Sequence, residues 1–241
     1  MYAGPLLSEP SCIPWRDGSV PDPGVSPAVK SPTTPRDHLF LVLLVVLIVG
    51  VPTVFLRFTF STFDIPQLTL LWVATTGVLL TAVYTAVVSG RLERIPRTVV
   101  VAMAAFLSAL TLTTVLSSQP WVAFTGLTVR GAGALTYALG VGLFYAVFMF
   151  SRQRSAVPLV LAFVAAHCVV VGYTLIQAYG LDPFTWGFGN IYIGDVFSTL
   201  GNPNFSAAYV GLTLPLLAWI PFGSAYRSTI RVIAAAAVGA S

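Results

Sequence analysis

Charged residues are scarce in this sequence of 241 residues, because aspartate, glutamate, lysine and arginine together make up only 8% of it. Hydrophobic residues make up 56%, and this balance excludes an ordinary soluble domain. The composition indicates an integral membrane protein. The net charge of +4 is small and gives no support for nucleic-acid binding.

Cysteine and histidine are scarce as well. Cys12 and Cys168 fall in the amino-terminal tail and in an apolar segment, which argues against a disulfide framework. His38 and His167 belong to different helices, and no spacing of histidine, cysteine and carboxylate residues fits a metal. The sequence therefore predicts no metal and no other cofactor. For His167, in the apolar stretch VAAHCVV, we expect a hydrogen bond to a neighbouring helix.

Proline is concentrated in residues 1–38, which we interpret as a disordered cytoplasmic tail. This segment combines prolines with scattered charges, a composition that buries too little apolar surface to fold alone. The prolines concerned are Pro5, Pro10, Pro14, Pro21, Pro23, Pro27, Pro32 and Pro35.

Long apolar runs fill the rest of the chain. A helix needs about 20 apolar residues to cross a membrane, and runs of about that length occupy 39–58, 67–89, 98–116, 131–150, 157–177 and 205–222. A seventh run starts at Ile230 and is interrupted at Ser241. The sequence predicts an all-α, polytopic transmembrane bundle over 39–241, with six full helices and a truncated seventh. We expect it to be the front part of a longer protein.

The basic residues predict the orientation, because short loops rich in lysine and arginine stay on the cytoplasmic side. Ten of the twelve lysines and arginines fall in the tail or in alternate connectors, which places the amino terminus in the cytoplasm. The long loop 178–204 then lies on the outer face. Arg57 and Arg130 are the exceptions, and we expect Arg57 to reach lipid headgroups.

The stretch GNPN, which follows the outer loop, predicts a helix start. Asn202 can cap a helix whose first residue is Pro203, with Asn204 in the opening turn. Unpaired amide hydrogens and the positive end of the helix dipole at this point suit an anion such as phosphate. Arg130 lies at the same predicted depth, so Arg130, Asn202 and Asn204 are the candidate diphosphate-binding residues. A simple helix cap and an arginine that contacts headgroups are the plainer alternatives.

In three places the chain resembles the O-antigen ligase and O-antigen polymerase family of bacterial membrane proteins. The first is GNPN at 201–204, which opens a helix after a long outer loop. The second is GLTVRGAGALTY at 126–137, where an arginine precedes glycines and a helix. The third is QAYGLDPF at 177–184, at the start of the outer loop.

The resemblance implies a multi-pass protein of the bacterial cytoplasmic membrane that acts in cell-surface polysaccharide assembly. Its reaction would transfer a glycan from an undecaprenyl-diphosphate carrier to a lipid or glycan acceptor. The catalytic outer-loop region of the family is missing from this chain, so the catalytic residues stay unknown. We expect Asp182 and Asp195, two of the outer carboxylates, to be solvated loop residues. A polytopic transporter or a lipid flippase for an anionic lipid-linked substrate is the alternative.

Overall fold

The computed structural model describes residues 35–59, 61–89, 95–127, 131–151, 157–186, 196–222 and 228–241. Over these ranges the chain forms helices and no strand, which confirms the predicted all-α class for this part of the chain. The predicted disordered tail, residues 1–38, lies outside the described residues up to residue 34. Residues 35–38 form the first turn of α1, so the predicted tail extends too far. The α-helices are α1 Pro35–Thr53, α2 Asp64–Ser89, α3 Arg97–Val115, α4 Pro120–Thr125, α5 Ala134–Ser151, α6 Val157–Ala178, α7 Pro203–Trp219 and α8 Ser228–Ala240.

Three helices are long and apolar enough to cross a membrane: Asp64–Val88 in α2, Arg97–Val115 as α3, and Val157–Ala178 as α6. Shorter apolar helices cover Asp37–Thr53, Ala134–Met149 and Ser228–Ala240. These apolar helices indicate a membrane protein. The expected count of six full spans and a partial seventh is not confirmed by the described residues.

Several helix boundaries differ from the predicted apolar runs, and two of the differences have local reasons. The first run was expected to continue to residue 58, but α1 ends at Thr53, directly after Pro52, which lacks a backbone N–H to extend the helix. The fourth run was expected to start at Gly131, but α5 starts at Ala134. Gly131 has a φ of +53°, which is outside the helical region.

Helices α1, α2 and α5 pack together around one apolar cluster. Glycines allow close approach: a Cβ at Gly77 would lie 3.3 Å from Leu43, and one at Gly142 would lie 3.1 Å from Leu79. Small residues at helix contacts are typical of membrane bundles. The buried members of the cluster are Phe40, Leu44, Leu47, Ala74, Val78, Ala82 and Ala146.

Helices α6, α7 and α8 form a second group, and α6 also packs against α1. Its buried apolar side chains are Val160, Val164, Leu217, Ile220 and Ala234. Helix α3 differs, because none of its residues is buried and it contacts only α4 and α5 within the described ranges.

The ends of four helices meet on one side of the bundle, which we call the loop end. Helix α1 ends there and α2 begins, since Gln67 in the first turn of α2 donates to the carbonyl oxygen of Val54 at 3.3 Å. Helix α6 ends there and α7 begins. The link between the two pairs is a 3₁₀ turn, Ser198–Leu200, whose Thr199 Oγ1 donates to the carbonyl oxygen of Pro52 at 2.7 Å.

Replacing Gly201 by alanine tests the packing at the loop end. Gly201 has a φ of +70°, and a Cβ there would lie 2.3 Å from Cδ2 of Phe63. Gly180 has a φ of +67° with no atom within 4 Å of such a Cβ, so Gly180→Ala is a matched control for backbone strain alone.

We expect Gly180→Ala to lower the free energy of unfolding by about 1 kcal/mol, the cost of the left-handed backbone. We expect Gly201→Ala to lower it by about 3 kcal/mol, because overpacking is added. Unfolding by SDS in detergent micelles, followed by circular dichroism, measures both. Equal losses for the two variants would contradict the packing of Phe63 on Gly201.

Candidate functional site

The start of α7 is a capped helix entry, as the sequence predicts. Asn202 is extended, with φ −152° and ψ 130°, and Pro203 occupies the first helical position. The Asn202 side-chain oxygen accepts the backbone N–H of Asn204 at 2.8 Å. This geometry confirms the predicted cap.

The amide hydrogens of the first turn of α7 are all paired, which corrects one premise of the predicted anion site. Pro203 has no amide hydrogen, and that of Asn204 is used by the cap. Phe205 and Ser206 donate their amide hydrogens to the carbonyl oxygen of Asn202, at 3.1 and 3.0 Å. The helix dipole and the side-chain amides of Asn202 and Asn204 remain to attract an anion. Asn204 is exposed.

Buried hydroxyl groups connect the turn before α7 to α1, α6 and α7. The bond to α1 is the one from Thr199 to Pro52. Ser198 is fully buried, and its Oγ donates to the carbonyl oxygen of Val170 in α6 at 2.7 Å. Ser206 Oγ donates to the carbonyl oxygen of Phe197 at 2.8 Å. Ser198 has a φ of +55°, a strained conformation for a residue with a Cβ. These bonds hold the turn in that conformation.

Gln177 joins the two described ends of the long loop. It lies in the last turn of α6, and its Oε1 accepts the backbone N–H groups of Phe197 and Ser198 at 3.1 and 2.7 Å. Its Nε2 donates to Asp182 at 2.9 Å. One side chain therefore connects the start of the loop with the turn that leads into α7. The intervening residues 187–195 lie outside the described ranges.

Asp182 is the centre of a second set of hydrogen bonds. Besides Gln177, its carboxylate accepts Tyr173 Oη at 3.0 Å, the Phe184 amide at 2.9 Å and Trp186 Nε1 at 2.8 Å. Burial alone would raise the pKa of Asp182, but these hydrogen bonds hold the pKa below its ordinary value of 3.8. Asp182 is a half-buried loop residue whose oxygens are already occupied, and the interpretation of a simply solvated aspartate omits these partners.

An aromatic cluster covers these polar contacts. Phe63 stacks on Trp186 with ring centroids 5.4 Å apart, and Trp186 meets Phe197 edge to face at 5.1 Å. Such pairs stabilise by about 0.5–1.5 kcal/mol beyond area burial. The cluster consists of Phe55, Phe63, Tyr173, Phe184, Trp186 and Phe197.

Arg57 is held on this cluster. Its guanidinium carbon lies 5.1 Å from the centre of the Phe184 ring and 5.6 Å from that of Trp186. One Nη donates to the carbonyl oxygen of Thr185 at 2.8 Å. Arg57 therefore has protein partners, and the interpretation of a residue that simply reaches headgroups omits them. It places a fixed cation at the loop end.

The first turns of α2 contact both segments that the sequence analysis singled out. Gln67 Nε2 donates to the carbonyl oxygen of Thr199 at 3.0 Å, two residues before Gly201. One residue further, Leu68 packs on Gly131, where a Cβ would lie 2.2 Å from Leu68 Cδ2. Gly131 follows Arg130. The backbone next to Arg130 and the backbone that leads to Asn202 thus contact neighbouring residues of α2.

Other site predictions have mixed outcomes. Arg130 and Asp195 lie outside the described residues, so their roles stay predictions. His167 forms the expected hydrogen bond to a neighbouring helix, with Thr213 in α7. Over the described ranges no group of three histidine, cysteine or carboxylate residues could hold a metal ion.

Sequence reasoning missed the polar residues that build the loop end. Gln67 and Gln177 stand at the margins of long apolar runs, and a polar amide in that position was a usable signal. The partners of Tyr173 and Ser198 could not be found in this way, because they depend on the tertiary packing of α6 against the turn.

Gln177→Ala tests the connection between the loop ends. The substitution removes three hydrogen bonds and leaves the buried Ser198 amide without an acceptor, a loss that costs about 1–3 kcal/mol for that group. We expect the free energy of unfolding to fall by about 3 kcal/mol. Gln119→Ala is the control, since Gln119 is exposed, and should change it by less than about 0.5 kcal/mol. Indistinguishable unfolding curves for the two variants would reject the role of Gln177.

Asp182→Asn tests the carboxylate through pH. Because its folded pKa is lowered, the carboxylate stabilises the fold above its ordinary pKa of 3.8, and this contribution disappears as the pH falls through the folded pKa. We expect the wild type to exceed Asp182→Asn in stability at neutral pH and the difference to shrink below 3.8. The measurement is the free energy of unfolding against pH. A difference that stays constant across this range would contradict the assignment.

The function of this site has to be inferred from its own residues. Comparison of the chain with protein-family models, with curated proteins and with solved structures finds no match.

Proposed function

We propose that this chain is the amino-terminal part of a membrane glycosyltransferase of the O-antigen ligase or polymerase type. Its reaction transfers a glycan from an undecaprenyl-diphosphate carrier to a lipid or glycan acceptor. The proposal includes six spans and a partial seventh in a bacterial cytoplasmic membrane, a cytoplasmic amino terminus and the loop 178–204 on the outer face.

One observation carries the proposal: the turn that leads into α7 and the backbone next to Arg130 pack close together at the start of α2. Gly201 contacts Phe63, directly before α2, and Gly131 contacts Leu68, in the first turns of α2. A donor lipid that lies in the membrane presents its diphosphate at the level of helix ends, so groups that bind it need to converge there. This convergence supports a shared pocket for Arg130, Asn202 and Asn204.

The chemistry of the proposed pocket depends on the hydrogen-bond donors and positive charges that the fold itself does not use. A departing diphosphate needs hydrogen-bond donors and positive charge, and an arginine fork suits phosphate oxygens. Arg130 would supply the charge, while the side-chain amides of Asn202 and Asn204 would donate hydrogen bonds at the positive end of α7. Arg57 adds a second cation at the loop end. Asp182 does not serve as the base that removes the acceptor proton, because four donors already occupy its oxygens.

A transporter or lipid flippase is the second candidate, and one observation favours it. His167 is fully buried in the middle of α6, and a transporter places polar residues near the middle of the bilayer. The glycosyltransferase proposal places the working groups at the loop end.

Substitutions of Asn202 distinguish an anion site from a plain cap. Serine and aspartate cap helices about as well as asparagine, so Asn202→Ser and Asn202→Asp should leave folding intact. The amide donor is lost in both, and Asn202→Asp adds a negative charge beside the diphosphate. In the full-length protein we expect glycan transfer to fall by about tenfold for Asn202→Ser and by about a hundredfold for Asn202→Asp.

Arg130→Ala should also reduce glycan transfer, to an extent similar to that of the Asn202 variants, while membrane insertion stays unchanged. Transfer is measured with a lipid-linked glycan donor, and insertion is measured by the amount of folded protein in the membrane. If Asn202→Asp transfers glycan as fast as the wild type at normal protein levels, Asn202 is only a helix cap and its role in donor binding is rejected.

A further inference from the structure

The connector between α3 and α5 contains a short helix with an exposed aromatic face. This helix, α4, covers Pro120–Thr125, and among the described elements it contacts only α3 and α5. Trp121 is 74% exposed and Phe124 is 41% exposed. The two residues are three positions apart and so lie on one face of the helix, with ring centroids separated by 6.3 Å. Helix α4 therefore presents an aromatic pair to its surroundings.

The opposite face of α4 has a different character. Val122 and Ala123 are half-buried there. They line a groove of about 370 Å³ together with Ser117, Ser118 and Gln119, which are polar. The two aromatic residues do not line this groove. A helix with one aromatic face and one partly polar face is typical of the surface of a membrane.

The length of α3 predicts the depth of α4 in a membrane. Helix α3 is long and apolar enough to cross a bilayer, and its 19 residues span about 28 Å at about 1.5 Å per residue. The hydrocarbon core is about 30 Å thick, so a chain that crosses it as α3 leaves the core close to Val115. Only residues 116–119 separate the end of α3 from α4. Helix α4 therefore lies near the boundary between hydrocarbon and headgroups.

The aromatic pair also continues the apolar surface of α3. None of the α3 residues is buried, and Leu112, Val115 and Leu116 are among its exposed large side chains or directly follow them. No charged residue occurs in the sequence between Arg97 and Arg130. A continuous exposed apolar surface marks contact with a membrane or a protein. Because α3 itself is a membrane-crossing helix by length and composition, lipid covers this surface.

We propose that the face of α4 that carries Trp121 and Phe124 lies in the interfacial layer of the lipid bilayer. The two rings contact the headgroups and the first carbons of the acyl chains. Aromatic side chains are enriched in this layer, and the indole of tryptophan combines a large apolar surface with one polar N–H group that suits it. The partly polar groove lies on the other side of α4. This assignment does not depend on the glycan transfer proposed above.

The lipid contact also fixes the depth of the backbone that flanks Arg130. Gly126 directly follows α4 and has a φ of +82°, and a Cβ there would lie 2.7 Å from the backbone nitrogen of Gly133. The chain thus returns to the end of α4 before α5 begins. Gly131 in turn contacts Leu68 of α2. A helix held in the interfacial layer therefore holds this backbone close to the level of the lipid phosphates.

Spin-label depth measurements on the full chain in phosphatidylcholine and phosphatidylglycerol vesicles test the proposal. The two cysteines of the chain, Cys12 and Cys168, are first replaced by serine. A nitroxide label is then attached to Trp121→Cys or to Phe124→Cys. Collisions with oxygen, which concentrates in lipid, and with a nickel chelate, which stays in water, report the depth of each label. Ala105→Cys is the control, since Ala105 is an exposed residue near the middle of α3.

We expect both α4 labels to lie about 5–10 Å below the lipid phosphates and the α3 label to lie near the centre of the bilayer. Labels on α4 that collide with the nickel chelate as freely as a label in water would overturn the proposal. Labels shielded from both reagents would overturn it as well, because a protein partner or a second copy of the chain would then cover this face. Both substituted side chains are exposed, and the two positions give independent readings.

Removal of the aromatic pair tests whether it holds the neighbouring backbone at this depth. The label is placed at Leu127→Cys, an exposed position two residues after α4. Trp121→Ser combined with Phe124→Ser should raise its collisions with the nickel chelate by about twofold, because the helix loses its apolar contact with lipid. Tyr179→Ser combined with Leu181→Ser is the matched control, since both residues are exposed, apolar in large part and outside α4, and it should leave the collisions unchanged. Equal results for the two double variants would reject this role of the pair.

Discussion

Backbone polar groups at the ends of buried helices need hydrogen-bond partners, and this constraint organises the loop end. Where α1 stops, the carbonyl oxygens of Pro52 and Val54 have no partner within the helix. Thr199 and Gln67 supply the donors. Where the chain approaches α7, the amides of Phe197 and Ser198 turn to Gln177. Each of these partners comes from a different element, so satisfying them brings four helix ends together.

The same constraint limits the chemistry that the site can perform. The backbone donors at the start of α7 are used within the helix, and the oxygens of Asp182 are used by α6 and the loop. Groups engaged in holding the structure cannot also bind a ligand or move a proton without loss of stability. Side chains that extend beyond this network, such as that of the exposed Asn204, are the ones available to a ligand. The proposal for donor binding therefore rests on side chains.

The helical class and the capped start of α7 could be predicted because both depend on residues that are close together in the sequence. Apolar runs predict helices in a membrane, and asparagine before proline predicts a cap. Helix ends were predicted less well, since Pro52 and Gly131 end or delay helices inside apolar runs. The partners of Gln177 and Asp182 could not be predicted, because they join residues up to about twenty positions apart through tertiary packing. Composition suggested a solvated aspartate, whereas packing gave it four donors.

Hydrogen exchange at the turn before α7 tests most directly whether the loop end is one hydrogen-bonded unit. The amides of Phe197 and Ser198 are bonded to a side chain of α6, and Ser198 is fully buried. Exchange of a buried, bonded amide needs local opening. We predict that both amides of the folded protein exchange far more slowly than open loop amides. Exchange at the rate of an unstructured segment would contradict the fastening of this turn.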